Sequence, residues 1–404
     1  MTFLEQHPVL VISVIKVAVL VFLLMTGIAY LTWFERKAVA HMQSRWGPYR
    51  AGPHGLLQPL ADGLKFLFKE DFTPDGVDRF VYFLAPFLAL SLSLVTIAVI
   101  PFGPQAIVLL GQQTPLAISD VNIGLLFILA ITSLSVYGVA LGGWASNNKY
   151  SLLGGLRSSA QMVSYEISMT LSVVGVLLVA GTFSLREIVE AQGGYFLGFL
   201  PRWNIFSAQF PQVLGFLIFL TAAFAETNRV PFDLAEAETE LVAGFHTEYA
   251  SFKFAMFFMA EYASMVTVSF VTSILFFGGW HSPFPPNQVT PYLPTFLLGA
   301  LGLYVIYDGL RYETIFGRVV LPVLGLAITA LGVLCAWPGV NAFVQAPFWL
   351  LAKVFCFLFL YIWVRGTLPR FRYDQLMGFG WKVMLPLALL NVVLTAAAML
   401  GRGR

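Results

Sequence analysis

Long apolar runs separated by shorter polar segments are the main pattern in this chain of 404 residues. A helix that crosses a bilayer needs about 20 apolar residues. On that measure the pattern predicts ten spans, near residues 9–33, 80–101, 121–143, 159–180, 209–227, 252–279, 293–308, 319–337, 346–364 and 382–400. The strands of a membrane barrel would instead alternate apolar and polar positions in short segments. The pattern therefore predicts an all-α polytopic membrane protein.

The loop between the first two spans contains a stretch with a different pattern. From Leu56 to Glu70 the apolar positions recur on one face of a helix, and Asp62 and Lys65 lie off that face. A helix of this kind lies in the plane of the membrane interface rather than crossing the bilayer. The sequence therefore predicts an interfacial amphipathic helix here.

Composition and charge agree with a membrane protein and give its orientation. Of the residues, 58% are hydrophobic and 11% charged, whereas soluble domains have about 25% charged residues. Placing loops 34–79, 144–158, 228–251, 309–318 and 365–381 in the cytoplasm puts 15 Lys and Arg residues there and four opposite. The positive-inside rule then puts both chain ends outside. No metal site, haem site or nucleotide-binding glycine motif is visible in the sequence.

The densest charge cluster is an acidic segment between the fifth and sixth spans. It contains six of the chain's 21 carboxylates, namely Glu226, Asp233, Glu236, Glu238, Glu240 and Glu248. If the part from Asp233 onward is helical, Asp233, Glu236 and Glu240 share one face. Carboxylates this close repel one another, which favours proton uptake by some of them near neutral pH. The alternative interpretation is a solvated loop between two spans.

Two further carboxylates lie well inside predicted spans. Glu166 is nine residues beyond Arg157, and Glu261 is about nine residues into its own span. An unpartnered charge inside a membrane is costly, so each carboxylate is a candidate functional residue. The alternative is that each is structurally paired within the bundle.

Several long motifs occur in a fixed order along the chain. The first loop contains Glu35-Arg-Lys, Gln43-x-Arg45-x-Gly-Pro and Gly52-Pro-x-Gly-Leu-Leu-Gln-Pro-x-Ala-Asp62-x-x-Lys65. Later come Ala225-Glu-Thr-Asn-Arg-x-Pro-Phe-Asp and Trp363-Val-Arg-x-Thr-Leu-Pro-Arg. Together they resemble the H subunit family of proton-pumping NADH:quinone oxidoreductase, respiratory complex I. The resemblance runs from residue 1 to about 280 and from about 346 to 400.

The resemblance implies one integral membrane domain over residues 1–404. Its eight-helix family core would occupy about 9–280 and 346–400. Residues from about 281 to 345 depart from the family pattern and add a two-helix hairpin, with Asp308-Gly-Leu-Arg-Tyr-Glu313 between its spans. An even number of added spans lets the last two core helices keep their orientation.

The same resemblance implies that the chain forms much of a quinone-binding tunnel and links quinone reduction to proton translocation. The implied quinone-binding residues are Glu35, Arg36, Gln43, Arg45, Asp62, Lys65, Arg229 and Phe232. The implied proton path consists of Glu166, Glu226, Asp233, Glu236, Glu238, Glu240, Glu248 and Glu261.

Cofactors, partners and location are also expectations from the resemblance. The chain alone would bind no cofactor; quinone would be its substrate, and NADH, FMN and iron–sulfur clusters would be bound by partner subunits. Those partners would be peripheral quinone-site subunits and neighbouring membrane-arm subunits. The complex would lie among lipid in the bacterial cell inner membrane, with no nucleic acid bound.

Two other functions are alternatives. One is a homologous subunit of a membrane-bound hydrogenase or of an F420- or ferredoxin-linked complex. The complete loop Gly52–Pro59 with its basic neighbours disfavours that alternative. The other is an independent ion transporter, which would more plausibly contain inverted repeats, and no internal repeat is visible in the sequence.

Overall fold

Helices account for most of the residues that the computed structural model describes, which are 8–109, 112–196, 198–206, 210–233, 242–287 and 289–402. In chain order the helices are α1 (Pro8–Met42), α2 (Gln58–Phe68), α3 (Arg79–Val95), α4 (Gly124–Ala145), α5 (Lys149–Ala180), α6 (Leu185–Glu190), α7 (Val213–Glu226), α8 (Ser251–Phe276), α9 (Leu293–Leu310), α10 (Ile315–Cys335), α11 (Pro338–Thr367), α12 (Tyr373–Phe379) and α13 (Leu385–Arg402). Two short antiparallel hairpins pair β1 (Ala106–Leu109) with β2 (Gln112–Pro115) and β3 (Tyr195–Phe196) with β4 (Leu200–Pro201).

Within the described residues, nine helical segments are long and apolar enough to cross a membrane. A tenth apolar helix, α7, has 14 residues, and the first residue of its predicted span, residue 209, lies outside the described part. A π-helical turn at Gly380–Met384 joins α12 to α13, and the two form one of the nine segments. Each predicted span has its helix, so the prediction of an all-α polytopic membrane protein is confirmed.

Several boundaries differ from the sequence prediction. Helix α5 begins at Lys149 instead of near residue 159, and α11 begins at Pro338 instead of near residue 346. Helix α1 continues to Met42, well past the predicted end near residue 33, because residues 34–42 include neither Gly nor Pro to end it. As a result Glu35 and Arg36 lie on α1 and not in a loop. Helix α12 occupies part of the predicted loop 365–381. The amphipathic helix is present as α2, within the predicted range.

The apolar core lies where α5, α7, α8, α11 and α13 pack together. Helix α8 is the most enclosed of the nine segments, with 67% of its apolar window buried, against 6% for α1. The carboxylate of Glu261 is carried by this central helix, whereas the apolar face of α1 is largely left open. An apolar surface of that size on a spanning helix is the surface that lipid covers.

Helices α9 and α10 pack against each other as a hairpin between α8 and α11. Their close approach depends on glycine: a methyl group at Gly302 would lie 2.7 Å from the carbonyl oxygen of Gly325. Most other side chains of the hairpin are exposed. Helix α10 touches α11 and the tight turn Pro53–Gly55, so the hairpin reaches back to the loop between α1 and α2.

Candidate functional site

Four charged side chains from four separate segments meet in the interior. Glu35 is on α1, Glu261 on α8, Arg229 just beyond the end of α7, and Arg365 near the end of α11. Nη1 of Arg229 lies 3.5 Å from Oε1 of Glu35, and Nη2 of Arg229 lies 3.7 Å from Oε2 of Glu261. Arg365 also forms an ion pair with Glu35. We call these four residues the central ion network.

The central ion network is balanced in charge and packed on an aromatic ring, with Glu35 and Arg229 buried and Arg365 45% exposed at its edge. The side chains of Glu35 and Arg229 are 5% and 8% exposed. The Tyr262 hydroxyl donates to Oε2 of Glu35 at 2.8 Å, and the Arg229 guanidinium lies 4.1 Å above the Tyr262 ring. Two carboxylates and two guanidiniums compensate each other, which buried charges require.

The Pro231-Phe232-Asp233 corner begins two residues after Arg229 of this network. Nε2 of Gln161 on α5 donates to the carbonyl oxygen of Phe232 at 2.8 Å. The Phe232 ring is buried and stacks on Phe371, with centroids 5.5 Å apart. Asp233 forms an ion pair of 2.9 Å with Arg370. The corner is therefore fixed between α5 and the segment that follows α11.

A second acidic pair lies between α4, α5 and α7. The Ser133 hydroxyl on α4 donates to Glu166, and Glu166 interacts electrostatically with Glu226 at the end of α7. The Thr132 hydroxyl also lies within reach of the Glu226 carboxyl, and Glu226 is 9% exposed. Tyr361 of α11 interacts electrostatically with both Glu226 and Arg229, which links this pair to the central ion network.

Glu248 belongs to a different environment, in the loop before α8 at one end of the bundle. Its Oε1 accepts a hydrogen bond of 2.6 Å from Nδ2 of Asn148. It lines an open cavity of about 410 Å³ together with Pro74, Gly76, Ser146, Asn147, Asn148, Lys149 and Tyr150. A carboxylate in this position can exchange protons with water.

The residues implied for quinone binding in the first loop lie on the surface beside α1. Nη1 of Arg36 pairs with Oδ2 of Asp62 on α2 at 2.6 Å. Nε of Arg45 donates to Oε1 of Gln43 at 2.8 Å, and both side chains are exposed, as is that of Lys65. The Arg36–Asp62 pair fixes α2 against α1, one residue away from Glu35 of the central ion network.

The structure thus joins residues that the sequence had assigned to two different roles. Glu35 and Arg229, expected at the quinone, share ion pairs with Glu261, expected in the proton path. Sequence reasoning missed Arg365, Tyr262 and Arg370 as members of the site. The motif Trp363-Val-Arg-x-Thr-Leu-Pro-Arg contains two of them, Arg365 and Arg370, although it assigned neither a role. Glu236, Glu238 and Glu240, with the helix proposed for that segment, lie outside the described residues.

His246, in the loop before α8, is predicted to make stability depend on pH. Burial between the rings of Phe245 and Phe254 lowers the pKa of His246 to about 4 from 6.5, and nearby Asp233 partly opposes this. The unfolded chain therefore binds more protons than the folded chain between these values, so stability falls as pH decreases through this window. We expect the loss to reach about 2 to 3 kcal/mol.

Thermal unfolding of the purified protein at about pH 5 and about pH 7 measures this loss. A His246→Phe variant, which cannot titrate, should show a smaller difference between the two conditions. A His41→Gln variant removes an exposed histidine and is the control. An equal pH dependence in all three proteins would contradict the prediction.

The fold and the site define a polytopic α-helical membrane protein in which charged side chains form ion pairs within the helix bundle. No group of three or more His, Cys, Asp or Glu side chains able to hold a metal ion occurs among the described residues. The chain matches the family model described as NADH dehydrogenase over residues 15–396.

Relatives agree along nearly the whole chain. The NADH-quinone oxidoreductase H subunit 1 of Solibacter usitatus is 53% identical over 385 residues, which cover 95% of this chain and 96% of the relative. The H subunit 2 of Koribacter versatilis is 51% identical over 398 residues, 96% of each chain. The H subunit of Thermomicrobium roseum is 46% identical over 389 residues, 96% of this chain and 95% of the relative. The chain therefore belongs to the NADH dehydrogenase family of H subunits, and the predicted family is confirmed.

Proposed function

We propose that this chain is the membrane subunit of a bacterial inner-membrane NADH-quinone oxidoreductase that forms much of the quinone tunnel and couples quinone reduction to proton translocation. Relatives named as the H subunit of NADH-quinone oxidoreductase match nearly all of the chain. The observation that supports the coupling most strongly is the central ion network, because it places Arg229 between Glu35 and Glu261. Quinone-site subunits and membrane-arm subunits are the proposed partners, and NADH, FMN and iron–sulfur clusters are proposed to reside in them.

The chemistry of quinone reduction explains how such a network can couple the two processes. Quinone takes up two electrons, delivered from the partner subunits, and two protons to become quinol. Negative charge that develops on the quinone side attracts the guanidinium groups of Arg229 and Arg365. That attraction weakens the ion pairs that these guanidinium groups form with Glu35 and Glu261. A carboxylate that loses its cation partner favours protonation, so the charge change becomes a proton movement.

The second acidic pair supplies the next step of the proposed path. Glu261 forms an ion pair with Arg229, and Tyr361 interacts electrostatically with both Arg229 and Glu226. Glu226 interacts with Glu166, and two like charges in a buried site share protons instead of both ionising. A proton gained at one carboxylate therefore changes the proton occupancy of the next. Asp233, Glu236, Glu238, Glu240 and Glu248 are proposed to supply protons from the cytoplasmic side.

Changing Asp62 to Asn tests the quinone-binding part of the proposal. The substitution keeps the shape of the side chain and removes the charge that pairs with Arg36 at 2.6 Å. This pair is partly exposed, so we expect assembly to remain near normal. Quinone reduction by the assembled complex should fall about three- to tenfold, because α2 is no longer held against α1 by this ion pair. Quinone-reductase activity per assembled complex is the measurement.

An Asp75→Asn variant is the matched control, since Asp75 is an exposed carboxylate in the loop after α2. Equal losses of assembly and activity in the Asp62→Asn complex would favour a purely structural role.

Purification of the tagged chain with its partner subunits separates the proposed function from the hydrogenase alternative. Co-purifying hydrogenase subunits in place of NADH-oxidising subunits would overturn the proposal.

A further inference from the structure

The cytoplasmic turn of the α9–α10 hairpin is attached to the first cytoplasmic loop through His54. Nε2 of His54 lies 2.7 Å from Oδ2 of Asp308, near the end of α9. The backbone N–H of His54 donates to the Tyr312 hydroxyl at 3.0 Å, and the two rings meet edge to face with centroids 5.0 Å apart. The hairpin thus binds both the side chain and the backbone of one loop residue.

The backbone at His54 has a conformation that needs such support. Its φ is +53°, in the left-handed region that residues other than glycine seldom adopt. Its carbonyl oxygen accepts hydrogen bonds from Nζ of Lys37 at 2.9 Å and from Nε1 of Trp33 at 3.3 Å, both on α1. His54 therefore connects the hairpin on one side with α1 on the other.

The loop held in this way leads directly into α2, which carries one of the proposed quinone-binding residues. Helix α2 begins at Gln58, four residues after His54, and carries Asp62. Asp62 pairs with Arg36, which is adjacent in sequence to Glu35 of the central ion network. A shift of the turn at His54 would therefore move α2 relative to α1.

We propose that Asp308 and Tyr312 are positioning residues that act through His54 to hold the α1–α2 loop in the geometry that admits quinone. The inference rests on the proposed function. It gives the added hairpin a role in substrate binding, although the hairpin supplies no group to the reaction itself. The contact should therefore affect the KM for quinone and leave kcat unchanged.

A double-mutant cycle in the assembled complex tests this inference. The variants are Asp308→Asn, His54→Gln and the combination of both, with Tyr312→Phe as a second way to loosen the same contact. Because the pair is partly exposed, we expect each single variant to raise the KM for quinone about two- to fivefold. The double variant should raise it no further than the single variants, since both substitutions remove one interaction. The kcat should stay at the wild-type value.

The control is Glu313→Gln, which changes an exposed carboxylate in the same turn. It should leave KM and kcat as in the wild type. A wild-type KM in every variant would overturn the inference, as would additive effects in the double variant or a fall in kcat with KM unchanged. If the wild-type complex itself fails to reduce quinone with NADH, the proposed function is wrong. A complex that reduces quinone normally but shows no KM effect contradicts only the role of the hairpin.

Discussion

Replacing Glu226 with Gln should lower quinone-reductase turnover about a hundredfold in a complex that assembles normally. Glu226 is 9% exposed and interacts with Glu166 and with the Thr132 hydroxyl. Gln keeps nearly the same size and retains hydrogen-bonding capacity, but it has no proton to transfer. In a coupled machine, quinone reduction cannot proceed while the proton path is blocked. Proton translocation should therefore be lost together with turnover.

The measurement is NADH-dependent quinone reduction and proton translocation in proteoliposomes, both normalised to the amount of assembled complex. A Glu190→Gln variant changes a half-exposed carboxylate that pairs with Arg186 on the opposite side of the membrane, and it should behave as the wild type. A Glu226→Gln complex that pumps at the normal rate would assign Glu226 a structural role and remove it from the proposed path.

Replacing Arg229 with Met should destabilise the assembled protein by about 3 kcal/mol. Met fills much of the same volume, but it leaves Glu261 and Glu35 in a buried site with only Arg365 as the remaining cation of the central ion network. Unfolding relieves this cost because the carboxylates become hydrated. The midpoint of thermal unfolding of the purified complex, and the yield of assembled complex, should both decrease.

Arg372→Met is the comparison for this effect. Arg372 forms an ion pair of 3.8 Å with Asp374, and both side chains are largely exposed. An exposed pair of this kind contributes less than about 1 kcal/mol. If the two variants lose equal stability, the central ion network does not stabilise the bundle in the manner described.

The membrane-spanning helices could be predicted from the sequence, because each requires one long apolar run. The residues at which they begin and end were predicted less well. The absence of Gly and Pro after residue 33 could have extended α1 to Met42, but the charges Glu35, Arg36 and Lys37 look like the start of a loop. The structure keeps Glu35 helical and buried because Arg229, Arg365 and Tyr262 surround its carboxylate.

The site could be predicted residue by residue but not as pairs. Glu261 was recognisable from the cost of placing a carboxylate inside a span, and Arg229 from its motif. Their ion pair joins α8 to the segment that follows α7, and no periodicity in one sequence contains that information. Arg365 was missed because a basic residue at the end of a span also follows from the positive-inside rule. Tyr262 was missed because a tyrosine in an apolar run resembles an ordinary core residue.

The attachment of the α9–α10 hairpin is the clearest case of information beyond the sequence. The extra spans were visible as apolar runs, and α9 and α10 occupy them. The contact between His54 and Asp308 spans 254 residues of sequence and joins a side chain in a tight turn to one near the end of α9. Each of these residues alone has the appearance of a solvated loop residue.

The central claim is that quinone reduction changes the protonation of carboxylates buried in this chain. The most direct test is an infrared difference spectrum of the assembled complex, recorded between the states with oxidised and reduced quinone. Our account predicts a band in the carbonyl-stretch region of protonated carboxylic acids that shifts in heavy water and decreases or disappears in the Glu226→Gln and Glu261→Gln complexes. A difference spectrum without that band, or with the same band in both variants, would contradict it.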